Sequence, residues 1–255
     1  MTPKEALEIS RSVAEEIERE VKKLSGTSEA GVTVGIGKDG TPSKKIDVMA
    51  EEIAIEHLLQ HDVRVVSEEA GVVGEGDIYV ALDPIDGTFN AVNGIPFYSV
   101  TLCFSSSREL GDTFFSYVKN FATGDEYHSD GISYKNGKKI KASETERLDC
   151  NAIVYYPERR YPFRRMRIFG SASLEICMVA EGSFDCFIDL RKSENGKGYL
   201  RVYDIAASLF IAKNAGAEIT DLDGINIWKK EISMEERFRV VVSGKTLHKK
   251  LLELV

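Results

Sequence analysis

Apolar residues recur at helical spacing from the start of the chain: Ala6, Leu7, Val13, Ala14, Ile17, Val21 and Leu24 fall on one face of a segment from Pro3 to Leu24. Thr2 and Pro3 supply a cap and a first-turn proline, so a helix is predicted to begin there. Ser25 to Thr41 breaks the pattern with glycine, serine and threonine and runs into Gly37-Lys38-Asp39-Gly40-Thr41-Pro42, which predicts a mobile loop. A second helix is predicted over Asp47 to Leu59, with Val48, Ile53, Ile55, Leu58 and Leu59 on its apolar side. The period then changes. Val63 to Val66 and Ile78 to Leu82 are short apolar runs that stop abruptly at Ser67-Glu68-Glu69 and at Asp83, as buried strands do when their ends hold a site. Tyr98 to Ser105 and Thr113 to Asn120 read as further strands of a meander, extended by Glu126 to His128 and Ser133-Tyr134 around turn-forming Asp130-Gly131 and Asn136-Gly137. From about Cys150 strands and helices alternate: a strand at Asn151 to Tyr156, a helix at Ser171 to Glu181, a strand at Ser183 to Leu190 and a helix at Val202 to Ala215. That alternation predicts a layered α/β second half.

Length and composition narrow the setting. A chain of 255 residues can bury a substantial core and lies at the border between one large domain and two small ones. With 43% hydrophobic and 29% charged residues it belongs with globular rather than disordered chains. No apolar run approaches the roughly 20 residues that span a bilayer, and Met1 to Leu24 lacks the apolar core and cleavage site of a signal peptide. A soluble cytoplasmic protein without a membrane partner is expected. Cys103, Cys150, Cys177 and Cys186 are widely spaced and read as buried free thiols, not as a zinc site or disulfide framework. His57, His61, His128 and His248 read as surface residues rather than catalysts. The net charge of -8 argues against nucleic acid as a partner. It also means that binding an anionic substrate would require bound metal or clustered arginines.

The segment Asp83-Pro84-Ile85-Asp86-Gly87-Thr88 offers the chemistry to resolve this. Asp83 closes a buried strand, and Pro84 is expected to stop that strand from continuing. Asp86 lies three residues on, so a tight turn can aim both carboxylates at one point. Gly87 permits close backbone approach, and Thr88 adds a hydroxyl near the start of a possible helix. Convergent carboxylates without His or Cys suit a hard cation such as Mg²⁺. A plain turn with a helix-capping aspartate would explain the segment equally well by itself. Two further acidic positions tip the balance: Glu68-Glu69 at the end of the preceding strand, and Asp204 in Arg201-Val202-Tyr203-Asp204-Ile205-Ala206-Ala207-Ser208.

In order and spacing, Glu68-Glu69, Asp83 to Thr88 and Asp204-Ile205-Ala206-Ala207 resemble the inositol monophosphatase and fructose-1,6-bisphosphatase superfamily over nearly the whole chain. With Gly37 to Pro42 near its start, the chain looks most like the archaeal dual-activity members. The resemblance implies an α/β (α+β) fold, a layered αβαβα sandwich, with an N-terminal half over residues 1–145 carrying most metal ligands. A C-terminal half over residues 146–255 would carry Asp204 and the substrate contacts. It implies a Mg²⁺-dependent phosphomonoesterase with two or three ions per site, Mn²⁺ able to substitute, and direct attack on phosphorus by water that the metal activates. Glu68, Asp83 and the Ile85 carbonyl resemble ligands of one metal, and Asp83, Asp86 and Asp204 those of a second. A third ion would involve Glu68 and Asp39. Glu68 and Thr88 would position the water, and the Gly87 and Thr88 amides would contact phosphate. The resemblance also implies a small sugar or polyol phosphate as substrate and a homodimer. Tyr203 and Ser208 depart from the tryptophan and glycine usual around the last aspartate, which bears on substrate shape.

For the substrate side, the second half is rich in arginine, which suits bidentate phosphate recognition. Gly170-Ser171-Ala172 resembles the family's sugar-contacting segment, so Ser171 and Ala172 are candidates. Arg165, Arg167, Arg191 and Arg201 are candidate phosphate binders, with Tyr155 as a hydroxyl donor. Arg191 falls near the position where inositol monophosphatases commonly carry a glutamate, and a cation there favours a second phosphate, as in fructose 1,6-bisphosphate. The alternatives are a phosphatase acting on 3′-phosphoadenosine 5′-phosphate or another nucleotide, and a regulatory binding protein on the same fold.

Overall fold

The computed structural model describes residues 1–38, 40–193 and 196–255. Its helices are α1 (Pro3–Leu24), α2 (Lys45–Leu58), α3 (Thr88–Val92), α4 (Ala172–Ala180), α5 (Val202–Asn214) and α6 (Lys245–Leu252). A small hairpin pairs β1 (Thr33–Ile36) with β2 (Pro42–Lys44). Eight strands form the large sheet: β3 (Val63–Ser67), β4 (Gly71–Val73), β5 (Ile78–Asp86), β6 (Ser99–Ser105), β7 (Thr113–Asn120), β8 (Glu126–Ser129), β9 (Ser133–Lys135) and β10 (Lys138–Lys139). Their spatial order is β10-β9-β8-β7-β6-β5-β3-β4. A five-stranded sheet follows, from β11 (Asn151–Tyr155), β12 (Arg165–Arg167), β13 (Cys186–Asp189), β14 (Ala217–Asp221) and β15 (Val240–Gly244), in the order β12-β11-β13-β15-β14.

The layers follow from which faces are apolar. Helix α1 begins as its sequence predicts: Thr2 and Glu5 form a reciprocal capping box, with Pro3 in the first turn and Lys22 and Lys23 in the last. Its apolar stripe packs with α2 on the outer face of the large sheet. Helix α5 is apolar almost all round, and it lies between the sheets, touching β5, β6 and β7 on one side and β14 on the other. Helix α4 packs beside it, and α6 covers the far face of the small sheet through Leu247 and Leu251. The order is thus the expected αβαβα sandwich. One apolar cluster joins Val66, Ala81 and Val118 of the large sheet to Ile153, Phe187 and Val242 of the small one through α4 and α5. No helix among the described residues is long and apolar enough to cross a bilayer.

Several expectations change. The Ser25 to Thr41 segment contains a strand, β1, whose residues are all exposed. Pro84 does not end its strand: β5 continues to Asp86, with a register shift between Asp83 and Asp86 that passes over the missing proline N–H. Short elements β4, β10, β12, β14, β15 and α6 had no clear periodic signal. The four cysteines are buried and free, as expected.

His248 is buried, contrary to its reading as a surface residue. Its Nε2 lies 2.9 Å from the Thr220 hydroxyl, which donates to the Asp221 carbonyl at 2.7 Å, and its Nδ1 lies 3.1 Å from the Ser243 hydroxyl, which donates to the Gly244 carbonyl at 3.3 Å. Burial holds this imidazole below its usual range, against an opposing pull from Glu218. A base with a depressed folded-state pKa adds stability that is full above about pH 6.5 and is lost as pH falls through the folded value. The difference in melting temperature between wild type and His248→Gln should therefore shrink between about pH 7.5 and about pH 5. A constant difference across that range in thermal unfolding scans would contradict this account.

Candidate active site

Strands β3 and β5 are parallel neighbours in a register that pairs Ser67 with Leu82. The next residues, Glu68 just past β3 and Asp83 still within β5, therefore lie side by side near the carboxyl ends where open α/β sheets place their ligands. The shift across Pro84 then brings Ile85 and Asp86 to the same edge: Ile85 N–H donates to Asp83 Oδ1 at 3.0 Å. Gly87 follows with φ 94°, and a Cβ there would lie 3.1 Å from the Phe97 carbonyl and 3.2 Å from that of Gly170. Only glycine fits this turn without strain. Thr88 opens α3 with its hydroxyl 2.9 Å from Asp47 Oδ1 and 3.2 Å from the Ile85 carbonyl.

Two helix N-termini close the cleft. Asp86 Oδ2 accepts from Ser171 Oγ at 2.6 Å, from Ser173 N at 2.8 Å and from Ser173 Oγ, which binds the carboxylate to the start of α4. Asp204 lies in the first turn of α5, where its Oδ2 accepts from Arg201 N at 2.7 Å. Thr101 of β6 donates to the Tyr203 carbonyl at 2.9 Å, fixing that turn against the sheet.

Glu68, Asp83, Asp86 and Asp204 thus line one cavity of about 330 Å³ together with Ile85, Gly87 and Thr88. Its electrostatics are costly for the protein alone. Burial, then Asp86, Asp204, Glu68 and Asp47, push Asp83 well above the carboxylate range. Asp204 is raised by enclosure and by Glu68 and Asp86, against the Arg201 amide and guanidinium. Asp86 is raised by burial despite its serine donors, and burial takes Asp47 up to about 8. Among the described residues no three His, Cys, Asp or Glu side chains are drawn together at metal-binding distances. The donor set is all oxygen, with neither His nor Cys, and fits a hard divalent cation.

Arg191 lines the same cavity. Its guanidinium grips the buried Asp189 carboxylate (Nε to Oδ1 2.9 Å, Nη2 to Oδ2 2.8 Å) and lies over the Tyr155 ring at 4.5 Å and near Tyr199 at 5.8 Å. Tyr155, Gly170, Ala172, Arg191 and Tyr199 all line the same cavity. Glu175 underlies them: it accepts from the Tyr155 hydroxyl at 2.5 Å and from the Phe169 and Gly170 amides. Burial raises it to about 7, against those three donors.

Comparison with known proteins matches this arrangement to the Inositol monophosphatase family over residues 3–255. The chain belongs to the inositol monophosphatase family. It is 52% identical to the fructose-1,6-bisphosphatase/inositol-1-monophosphatase of Archaeoglobus fulgidus, over 100% of both chains. It is 32% identical to a bifunctional NADP phosphatase/NAD kinase of Methanococcus maripaludis, covering 96% of this chain and 48% of that one. A crystal structure of an inositol monophosphatase-fructose 1,6-bisphosphatase superposes with a TM-score of 0.85 at 33% identity, over 97% of this chain and 98% of the other. As an inositol monophosphatase family member the protein is a metal-dependent phosphatase of small phosphorylated substrates.

Within that frame, parts of the expected substrate wall change. Ser171 is fully buried and gives its hydroxyl to Asp86, so its side chain is not a sugar contact. Tyr155 is no free hydroxyl donor, because its proton goes to Glu175. Arg165 and Arg167 are exposed on the edge strand β12, away from the cavity lining, and Arg167 Nη1 donates to the Met166 carbonyl. Arg201 lines an adjoining groove with Lys197 and Arg237 rather than this cavity. Asp39 lies outside the described residues. Sequence reasoning missed Asp47, Glu175, Asp189 and Tyr199. The Asp189-Leu190-Arg191 spacing was a usable signal for the ion pair; Asp47 and Glu175 looked like ordinary helix positions.

Proposed function

We propose that this phosphatase hydrolyses fructose 1,6-bisphosphate and inositol 1-phosphate with Mg²⁺. The observation supporting this most directly is that Glu68, Asp83, Asp86, Asp204 and Arg191 line one cavity. Two or three Mg²⁺ ions held by those carboxylates and the Ile85 carbonyl would supply water activation and offset the phosphate charge. The chain's own groups do the rest. Thr88, oriented by Asp47 and assisted by Glu68, holds the attacking water and accepts its alignment from the hydrogen bond at 2.9 Å. The Gly87 and Thr88 amides hold the reacting phosphate. Arg191, clamped by Asp189, presents charge to the second phosphate of a bisphosphate. Residues 1–145 would thus supply most of the chemistry, and residues 146–255 Asp204 and the substrate wall. A homodimer is part of the proposal, checked by light scattering.

Arg191→Ala should raise KM for fructose 1,6-bisphosphate about 10- to 100-fold while leaving KM for inositol 1-phosphate within about twofold. Equal changes for both would remove Arg191 from the reading. A nucleotide phosphate is the second reading, favoured by the Methanococcus maripaludis relative. Phosphate release from fructose 1,6-bisphosphate, inositol 1-phosphate, NADP and 3′-phosphoadenosine 5′-phosphate, each with Mg²⁺, tests both. A kcat/KM for either nucleotide exceeding that for fructose 1,6-bisphosphate would overturn the first reading.

A further inference from the structure

The first turn of α4 serves both walls of the cavity. Ser171 and Ser173 bind Asp86, while Glu175 binds Tyr155, Phe169 and Gly170. Glu175 is fully buried, and every partner named here is either a cavity-lining residue or its chain neighbour. Tyr155, only 6% exposed, is held at its hydroxyl by Glu175 and supports the Arg191 guanidinium on its ring face. Arg191 is held at its other edge by Asp189, so its position has two supports, one ionic and one aromatic.

Resting on the sugar-phosphate reading above, we propose that Glu175 is a positioning residue that sets specificity for a bisphosphate substrate. It acts through Tyr155: by accepting the hydrogen bond of the hydroxyl, it fixes the ring on which Arg191 lies and leaves the phenol oxygen able only to accept from a substrate hydroxyl. Because α4 also holds Asp86, the same turn fixes the distance between the reacting end of the substrate and its remote phosphate.

Glu175→Gln keeps one oxygen for the Phe169 and Gly170 amides but turns an NH₂ donor toward the Tyr155 hydroxyl. We expect KM for fructose 1,6-bisphosphate to rise roughly 5- to 20-fold, with kcat and the KM for inositol 1-phosphate changed less than about twofold. Tyr155→Phe should reproduce most of this rise, and the double variant should be no worse than the more affected single variant. Equal losses on both substrates, an unchanged bisphosphate KM, or additive effects of the two substitutions would each overturn the proposal. Arg191→Ala separates it from the reading beneath it. If that variant leaves the bisphosphate KM unchanged, the sugar-phosphate reading fails; if it raises KM and Glu175→Gln does not, Glu175 alone is misassigned.

Discussion

Asp83→Asn should lower phosphate release at least about 10³-fold, on the scale seen when a buried electrostatic stabiliser is removed from a reacting centre. The reason lies in its surroundings. Asp83 is buried, flanked by Glu68 on the adjacent strand and by Asp86 and Asp204, and its Oδ1 already accepts from Ile85 N–H at 3.0 Å. Asparagine keeps the shape and that hydrogen bond while removing a carboxylate whose charged form burial and its acidic neighbours disfavour. Without Mg²⁺ the variant should therefore melt no lower than wild type. With Mg²⁺, wild type should gain stability in proportion to the logarithm of ion concentration, and the variant should lose most of that gain. Thermal unfolding with and without Mg²⁺, beside a turnover assay, checks both halves. A variant that keeps Mg²⁺-dependent turnover within about tenfold of wild type would remove Asp83 from the metal site.

Thr88→Ala is expected to have the second largest effect, a fall in kcat of about 10²- to 10³-fold with KM nearly unchanged. The hydroxyl reaches Asp47 at 2.9 Å and the Ile85 carbonyl at 3.2 Å, so it is held from two sides at the start of α3. Alanine removes a group that would orient water without removing a contact on which substrate binding depends. Thr88→Ser keeps the hydroxyl and should recover most of kcat, while Asp47→Ala should resemble Thr88→Ala because the Thr88 hydroxyl loses its acceptor. Steady-state kinetics on the three variants tests this. A large rise in KM with normal kcat would assign Thr88 to binding instead.

Much of this site was legible because its acidic residues interrupt apolar runs. Glu68 and Asp83 end apolar runs, and a parallel pair in register places such ends together whatever the rest of the chain does. Helix α1 is long enough for its period to show, while α4, α5 and the strands β5 and β6 stood out as apolar runs of helical or strand length. The substrate wall was harder. Arginines look alike in sequence, and what separates Arg191 from Arg165 and Arg167 is a buried partner, Asp189, against an exposed edge strand. Ser171 was placed in the right segment with the wrong role, since its hydroxyl turns inward to Asp86. Pro84 shows the limit of a local rule: proline removes a donor, but a bulge can carry a strand past it, and the carboxylates need that bulge to meet.

The apolar cluster that runs unbroken from the large sheet through α4 and α5 into the small sheet has a kinetic meaning. Domains that close on a ligand need a weakly packed seam to swing on, and here the seam is core. The parts of the cavity on the two sheets are therefore joined by core rather than by a hinge. Binding energy that a hinged enzyme would use in closure then stays available for holding the reacting phosphate.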